Sequence, residues 1–357
     1  DVVDATLTID KTGPVLSGLS LSPNPTDGAT QVTLTGTASD AAGIGRVEWF
    51  IGADPGWGNG TAATVSANGS FSSTVTVTSA FDLGDYTVVV RATDSLGNRS
   101  SSNATAVLHV TPLLWFSTSG TTDPPGVGGS ADDADVYHWT GARFGRTVDA
   151  SANPYNLPTG GNAGNANVDG FSRVDASHFY VSLNGSATVP GITGRVQDED
   201  VLFWNGNHWE LWFDGSAHGL GGGNNNTGFD LDAISVVGGT LYFSTDNSAV
   251  PSGVSGSGDD ADVYSWNGTS YARVIDATGI PGFSTNANNT PNVDGFVWRS
   301  ATDWLMSFSD NTSITGLGSV QDEDVVRRTG TTWSTFFDGT AAGLTNNNQD
   351  IDAFDIP

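Results

Sequence analysis

The sequence predicts an all-β chain, in which an N-terminal β-sandwich is followed by a four-bladed β-propeller closed by the C-terminal strand. Three observations carry that prediction. Glycine is abundant, 47 residues set between short apolar runs, as a chain of many tight turns requires. No window shows sustained helical periodicity, and none approaches the length of a membrane-spanning helix. From residue 113 onward the sequence repeats itself four times, with a period of about 62 residues.

Charge narrows the partners. Asp and Glu number 39 against 12 Lys and Arg, a net charge of −27, and 35 of the acids are aspartate while Lys11 is the one lysine. Such a surface repels nucleic acid and anionic membranes and attracts divalent cations or basic surfaces. A salt-adapted acidic surface is the alternative. With no cysteine there is no disulfide framework and no thiol chemistry. The sequence opens at Asp1 rather than Met, which reads as a removed leader or a piece of a longer chain. Nine Asn-x-Ser/Thr sequons stand at Asn59, Asn68, Asn98, Asn103, Asn184, Asn225, Asn267, Asn288 and Asn311; they mark acceptor positions without arguing that any is modified.

Residues 15–111 are the predicted sandwich. Thr30–Ala38, Arg46–Ile51, Ser70–Val77, Tyr86–Ala92 and Ala104–Val110 alternate apolar and polar residues, as strands with one buried face do. Trp49 and the segment Arg91–Asn98 (RATDSLGN) resemble the bacterial immunoglobulin-like repeats of large secreted proteins, a resemblance that implies stalk or spacer duty. Residues 1–14 stand apart. Ala5–Asp10 followed by Pro14 matches Ala106–Val110 followed by Pro112, so it looks like the last strand of a preceding domain. Either it is a leftover linker, or it pairs with an exposed sheet edge of a neighbouring copy.

Residues 112–357 hold the repeats. A Phe/Val/Met-Ser step recurs at Ser117, Ser182, Ser244 and Ser307, followed by the acidic pairs Asp133/Asp135, Asp198/Asp200, Asp260/Asp262 and Asp322/Asp324. Fourteen residues after the second acid of each pair come Asp149, Asp214, Asp276 and Asp338. An Asp-(Gly/Ala)-(Phe/Ile) step then recurs at Asp169, Asp232, Asp294 and Asp352. Repeats one and three are most alike, as are two and four. The second repeat reads as four strands, Val168–Val174, Phe179–Leu183, Asp200–Trp204 and Trp209–Phe213, with Asn205-Gly206 as a hairpin turn. Four strands repeated four times is a propeller pattern. The frame of the repeats leaves a lone strand at Ile351–Ile356, predicted to lie beside Leu113–Ser117 and to lock the ring.

Asp-Ala-Ile at 232–234 and Asp-Ala-Phe at 352–354, with Trp139, Trp204 and Trp266 near the ends of third strands, are similar to the repeated step of hemopexin-like four-bladed propellers. That resemblance implies ions in the central tunnel, held partly by backbone carbonyls of the innermost strands. It departs from the family in its longer blades, its lack of a blade-joining disulfide, and Arg327-Arg328 where the other repeats carry an aromatic. It implies no haem or protease role.

The repeated acids are the candidate metal ligands. About 20 of the 26 aspartates in this region sit at repeat-equivalent positions. Alternation in a strand aligns Asp198 with Asp200, and folding the hairpin brings Asp214 opposite them. The same holds for Asp133, Asp135 and Asp149, for Asp260, Asp262 and Asp276, and for Asp322, Asp324 and Asp338. Carboxylates so crowded raise one another's pKa unless a cation neutralises them, and Ca²⁺, with about 6–8 oxygen ligands, suits flexible loops. Ordinary turn and capping chemistry is the alternative. The ring Asp169, Asp232, Asp294 and Asp352 either lines a cation-filled channel or caps backbone amides.

Catalysis finds little support. The five His residues stand at positions that the repeats do not share, no nucleophile elbow occurs, and four near-copies of an acid site suggest structure rather than one unequal acid pair. Trp209, Trp212, Trp298, Trp304 and Trp333 have core-like spacing, while an exposed subset would stack on sugars. The reading is a non-catalytic, calcium-stabilised extracellular structural or adhesion subunit, whose partners are copies of itself or other surface proteins. A carbohydrate-binding surface module is the alternative, and a glycan-active enzyme a third.

Overall fold

Alternating apolar residues set the first eight strands. In the structure, a computed structural model that describes residues 9–158, 166–221, 229–277, 279–280, 283, 291–346 and 348–357, nearly all regular structure is β. Apart from Trp139–Arg143 and the terminal Pro357, the chain divides between Leu113 and Leu114 into two compact units. No helix is long and apolar enough to cross a membrane.

The first unit contains β1 (Val15–Ser22), β2 (Gln31–Ser39), β3 (Ile44–Ile51), β4 (Thr61–Ala62), β5 (Thr64–Val65), β6 (Ser70–Thr76), β7 (Gly84–Asp94) and β8 (Ala104–Val110). They form two antiparallel sheets, ordered β1-β2-β6-β5 and β4-β3-β7-β8. Val32, Leu34, Phe71 and Val75 of one sheet share a core with Val47, Trp49, Val88, Val90 and Leu108 of the other, the arrangement of a β-sandwich. The Trp49 indole N–H donates to the Ser73 hydroxyl at 2.8 Å, so the ring is buried without stranding its donor. The five strands read from alternation all form. The two-residue β4 and β5 are too short to show a period, and β1 loses its alternation to a register shift between Ser17 and Ser20.

The second unit is built of four-stranded antiparallel sheets. The first joins β11 (Phe144–Asp149), β10 (Asp135–Trp139) and β9 (Leu114–Thr118) to the last strand, β26 (Ile351–Asp355). The second runs β12 (Val168–Arg173), β13 (Phe179–Leu183), β14 (Val201–Trp204), β15 (Trp209–Phe213). The third runs β16 (Leu231–Val237), β17 (Thr240–Thr245), β18 (Asp262–Trp266), β19 (Tyr271–Asp276). The fourth orders β20 (Gly295–Ser300), β21 (Asp303–Ser307), β24 (Val325–Thr329) and β25 (Thr332–Phe337), with an extra hairpin of β22 (Thr312–Ile314) and β23 (Gly318–Val320). A four-residue helix, α1 (Gly339–Ala342), follows β25. No sheet closes on itself among the described residues.

The last strand lies beside β9, Phe354 opposite Phe116 and Ala353 opposite Ser117. Of the four strands that begin the sheets, β12 packs beside β26 and β16, and β20 beside β16 and β26. Small residues make that approach feasible. The fully buried Ser117, Ser182, Ser244 and Ser307 face Ala353, Gly170, Ala233 and Gly295 across their ladders. A Cβ on Gly170 would stand 2.1 Å from the Ser182 hydroxyl oxygen, so the site admits nothing larger than glycine without rearrangement. The strand predicted at Ala5–Asp10 lies almost wholly outside the described residues, as do the sequons at Asn225 and Asn288.

Candidate metal centre

Every acid of the predicted ring is buried: Asp169, Asp232, Asp294 and Asp352 are between 1 and 8% exposed. Backbone irregularity aims them inward. Register shifts between Val168 and Gly170, between Leu231 and Ala233, and between Ile351 and Ala353 make Asp169, Asp232 and Asp352 the extra residues of three β-bulges. A bulge breaks the strict alternation of faces and so re-aims one side chain. Asp294 stands at the equivalent place, immediately before β20.

A second layer, which the sequence reading missed, lies two residues earlier in each repeat: Asn167, Asp230, Asn292 and Asp350. The Asn167 amide favours the charged form of Asp352, and that of Asn292 does the same for Asp232. Acceptors nevertheless far outnumber donors. Both carboxylate oxygens of Asp169, one each of Asp230, Asp232 and Asp352, and the amide oxygens of Asn167 and Asn292 are buried without a hydrogen-bond partner. The Ser182 hydroxyl is the donor beside Asp169, though not in bonding geometry.

Burial, then neighbouring carboxylates, push Asp230 and Asp352 up to about 8. Burial likewise pushes Asp232 up to about 7, with Asp246 and Asp260 adding to it. Asp169 and Asp294 rise well above the usual carboxylate range for the same reasons, with Asp230 and Asp352 adding at Asp169, and Asp232 and Asp352 at Asp294. Among the described residues, no arginine, lysine or histidine is among the main influences on these five. Among the described residues, no backbone N–H is seen to donate to the side chains of Asp169, Asp232 or Asp352. Nor does the ring converge like a closed carboxylate cage: among the described residues, the acid triads whose oxygens come within 4.8 Å of one another lie elsewhere.

The predicted corner triads require correction. Asp132, not Asp133, joins Asp135 and Asp149 with oxygens inside 4.8 Å. Asp133, Asp198, Asp260 and Asp322 instead accept, through their backbone carbonyls, the N–H groups of Val168, Leu231, Val293 and Ile351 at 2.9, 3.1, 3.0 and 3.1 Å. They therefore sit beside the ring residues of the next sheet. Electrostatically, Asp198 acts on Asp230 and Asp322, itself pushed up to about 7 by burial, feels Asp350, both in the next sheet, while Asp133 acts on Asp352 and Asp260 on Asp232 within their own sheets. Strand alternation does not align each acidic pair, because the first acid of each lies in the tight turn that leads into β10, β14, β18 or β24.

At the corners the chain supplies its own partners, in two ways. In repeats one and three an arginine enters. Arg146 Nε lies 3.2 Å from Asp135 and its Nη1 3.5 Å from Asp149, while Arg273 Nε lies 3.2 Å from Asp262 and its Nη1 3.7 Å from Asp276. The Tyr137 and Tyr264 hydroxyls donate to Asp135 and Asp262 at 3.2 and 3.0 Å. Burial, helped by Asp132 and Asp259, still lifts Asp135 to about 7 and Asp262 to about 6 against the downward pull of the guanidinium. In repeats two and four backbone amides replace the arginine. Asp200 accepts from Gln197 and Gly215 at 2.8 and 3.0 Å, and Asp324 from Gln321 and Gly339 at 3.0 Å each. Asp214 accepts from Ala217, and Asp338, as the N-cap of α1, from Ala341, both at 2.8 Å. Gly215 and Gly339 are fixed by space, since a Cβ would meet the Glu199 and Glu323 carbonyl oxygens at 2.2 and 2.3 Å.

One further acid triad, Asp10, Asp40 and Asp94, lies in the first unit. Its oxygens already accept local amides, among them Leu96 and Asn98 at Asp94 and Thr12 at Asp10. Of the five predicted core tryptophans, Trp209 and Trp304 are buried and Trp212, Trp298 and Trp333 half-buried. Arg328, at the repeat position of Trp139, Trp204 and Trp266, lays its guanidinium 5.5 and 5.9 Å from the Trp304 and Trp333 ring centroids.

No family model matches the chain, and no curated protein matches it. Among solved structures it is similar to the chicken CNTN1 FN1–FN3 domains, at 10% identity over 91% of this chain and 96% of that one. The TM-score of 0.20 gives that likeness no weight.

Proposed function

We propose that this chain is a non-catalytic, calcium-stabilised extracellular structural or adhesion subunit, with an immunoglobulin-like sandwich preceding a four-bladed propeller that its C-terminal strand closes. The sheet orders β1-β2-β6-β5 and β4-β3-β7-β8 support the immunoglobulin-like reading, as does the Tyr86 hydroxyl bonded to the backbone of Asp82, a tyrosine corner. The mutual packing of β26, β12, β16 and β20, with β26 paired to β9, supports the propeller reading.

A single observation carries the cation. Among the described residues, Asp169, 1% exposed, has no hydrogen-bond partner for either carboxylate oxygen, and no basic side chain is among the main influences on it or its acidic neighbours. Buried carboxylates in that state call for neutralisation by protons or by a hard cation. Ca²⁺ fits an all-oxygen, irregular set in which water completes the shell, as the wide spacing of the ring carboxylates requires. Zinc fits poorly, since the site offers neither His nor Cys.

Native mass spectrometry after dialysis against calcium tests this. Bound calcium is expected in the native chain and absent from the Asp169→Asn, Asp352→Asn double variant; an ion-free native chain, or equal loading of both, sinks the reading. Self-association through residues 1–10 belongs to the same proposal on sequence grounds. Light scattering of the full chain beside one lacking residues 1–12 tests it, and equal masses remove it.

A further inference from the structure

The first unit holds a cavity of about 280 Å³ whose chemistry opposes that of the rest of the molecule. Arg46, Arg91 and Arg99 line it together with Glu48, Trp57 and Gly58, so three of the chain's 12 basic residues meet there on a net charge of −27. Cross-strand pairing builds it: Glu48 of β3 lies directly opposite Arg91 of β7, and each is 1% exposed.

Most of the polar groups are accounted for. Arg91 Nε donates to Glu48 at 2.7 Å, and its Nη1 to Asp54 at 2.8 Å. Arg46 donates from Nε to Glu48 at 3.0 Å, and from Nη2 to the carbonyls of Gly58 and Gly60 at 3.1 and 3.0 Å. The Gly58 amide completes Glu48 at 3.0 Å. Burial alone would lift the Glu48 carboxyl, but that amide and the two guanidinium groups hold it below the usual range.

Two donors are left over. Arg91 Nη2 is buried without an acceptor, although the guanidinium it belongs to lies 4.6 Å from the Trp57 ring centroid and 5.0 Å from that of Phe50. Arg99 is exposed, lies 4.9 Å from the Trp57 centroid, and has no carboxylate partner among the described residues. Three guanidinium groups against the carboxylates of Glu48 and Asp54 leave one positive charge unbalanced. A buried guanidinium donor without an acceptor is costly, and a planar carboxylate is the anion whose geometry guanidinium groups match best.

We propose that this cavity is a carboxylate-binding site, in which a singly charged carboxylate accepts from Arg91 Nη2 and Arg99 against the edge of Trp57. A single charge favours a carboxylate over a doubly charged sulfate or phosphate, and the volume limits the bound group to a side chain or a monosaccharide-sized acid. The carboxylate comes either from a free acid or from an aspartate of another chain; both present the same group.

The test follows the Trp57 indole N–H resonance, assigned with Trp57→Phe, at constant ionic strength. N-acetylaspartate α-amide, glucuronate, acetate, sulfate and chloride are titrated against the full chain and the Arg99→Gln variant. The site predicts saturable shifts with carboxylates, weakened about tenfold or more in the variant, where a charge-assisted hydrogen bond is lost. Arg195→Gln, outside the cavity, should leave the shifts unchanged. Tighter binding of N-acetylaspartate α-amide points to a protein source and of glucuronate to an acidic sugar. Absence of any carboxylate shift, an equal response to chloride or sulfate, or shifts unaltered in the Arg99 variant overturns the proposal.

Discussion

The second unit treats two sets of buried aspartates in opposite ways. At the sheet corners the chain answers its own negative charge, with Arg146 and Arg273 in repeats one and three and with backbone amides in repeats two and four. Around the ring of Asp169, Asp232, Asp294 and Asp352 no basic side chain among the described residues is a main influence. The same residue type at equally regular spacing therefore has two meanings. Repetition of an acid does not by itself mark a metal site; what sets the ring acids apart is burial without a basic neighbour among the described residues.

The largest effect that tests the contrast is removal of a corner arginine. Asp135 is fully buried and Arg146 12% exposed, so Arg146→Gln strands a carboxylate; such losses cost about 3–5 kcal/mol. Urea unfolding should show that loss for Arg146→Gln and a similar one for Arg273→Gln. The oxygens of Asp132, Asp135 and Asp149 lie within 4.8 Å of one another, so added calcium should restore part of the stability in the first variant. A variant as stable as the native chain would mean that the corner does not depend on its arginine.

Next in size is chelation, which should act on the ring and spare the corners. A cation present at about 100 times its Kd stabilises by about 2.7 kcal/mol, so chelator should lower the melting temperature by several degrees. Asp352→Asn separates the alternatives by sign. In chelator it should stabilise the fold, because a neutral amide spares the cost of protonating a carboxyl buried among like charges; with calcium present it should gain less than the native chain does. Destabilisation in both conditions would show that Asp352 has a partner other than a cation.

The pH response follows from the same carboxyl groups. Asp352 and Asp230 hold their protons to about 8 and Asp232 to about 7 in the fold, against 3.8 for the free side chain. Between those values the folded chain binds more protons than the unfolded one, so stability falls as pH rises. Without divalent cation the protein should melt higher near pH 5 than near pH 8. With saturating calcium that slope should flatten, because the ion takes over from the protons. A calcium-independent slope would mean that protons alone serve the ring.

Much of this was legible in the sequence, and the failures have identifiable causes. Strands β12 to β15 fall within a residue of their predicted bounds because Asn205-Gly206 and the apolar runs fix both ends. The last strand's place beside β9 follows from the repeat frame alone. Asp132 displaced Asp133 because the alternation rule was applied to residues that form a turn. The second ring of Asn167, Asp230, Asn292 and Asp350 was visible as a fixed offset of two before each ring aspartate, but half of it is asparagine, and a search for carboxylates passes over it. The corner arginines were visible too, as Arg-x-x-Asp at 146–149 and 273–276, against Leu-x-x-Asp at 211–214 and Thr-x-x-Asp at 335–338. No sequence pattern announces the bulges that turn Asp169, Asp232 and Asp352 inward, because a bulge depends on register between two strands.

The smallest effect has the opposite pH signature and isolates the corners of repeats two and four. Asp214 accepts from the amide of Ala217 and the hydroxyl of Ser216, both at 2.8 Å, and these bonds hold its carboxyl below the usual range. Asp338 makes the matching bond to Ala341 at the start of α1. Loss of such a cap costs about 1 kcal/mol, so Asp214→Ala and Asp338→Ala should each lower stability by that order, with or without calcium. For Asp214 the lowered carboxyl means that the unfolded chain binds the extra proton. Its contribution is present above pH 3.8 and fades as acid protonates the folded carboxyl. Acid should thus erase the difference between native chain and Asp214→Ala below pH 3.8, under the range in which acid strengthens the cation-free ring. A loss of equal size at pH 3 and pH 7 would show that the side chain acts through packing rather than through its charge.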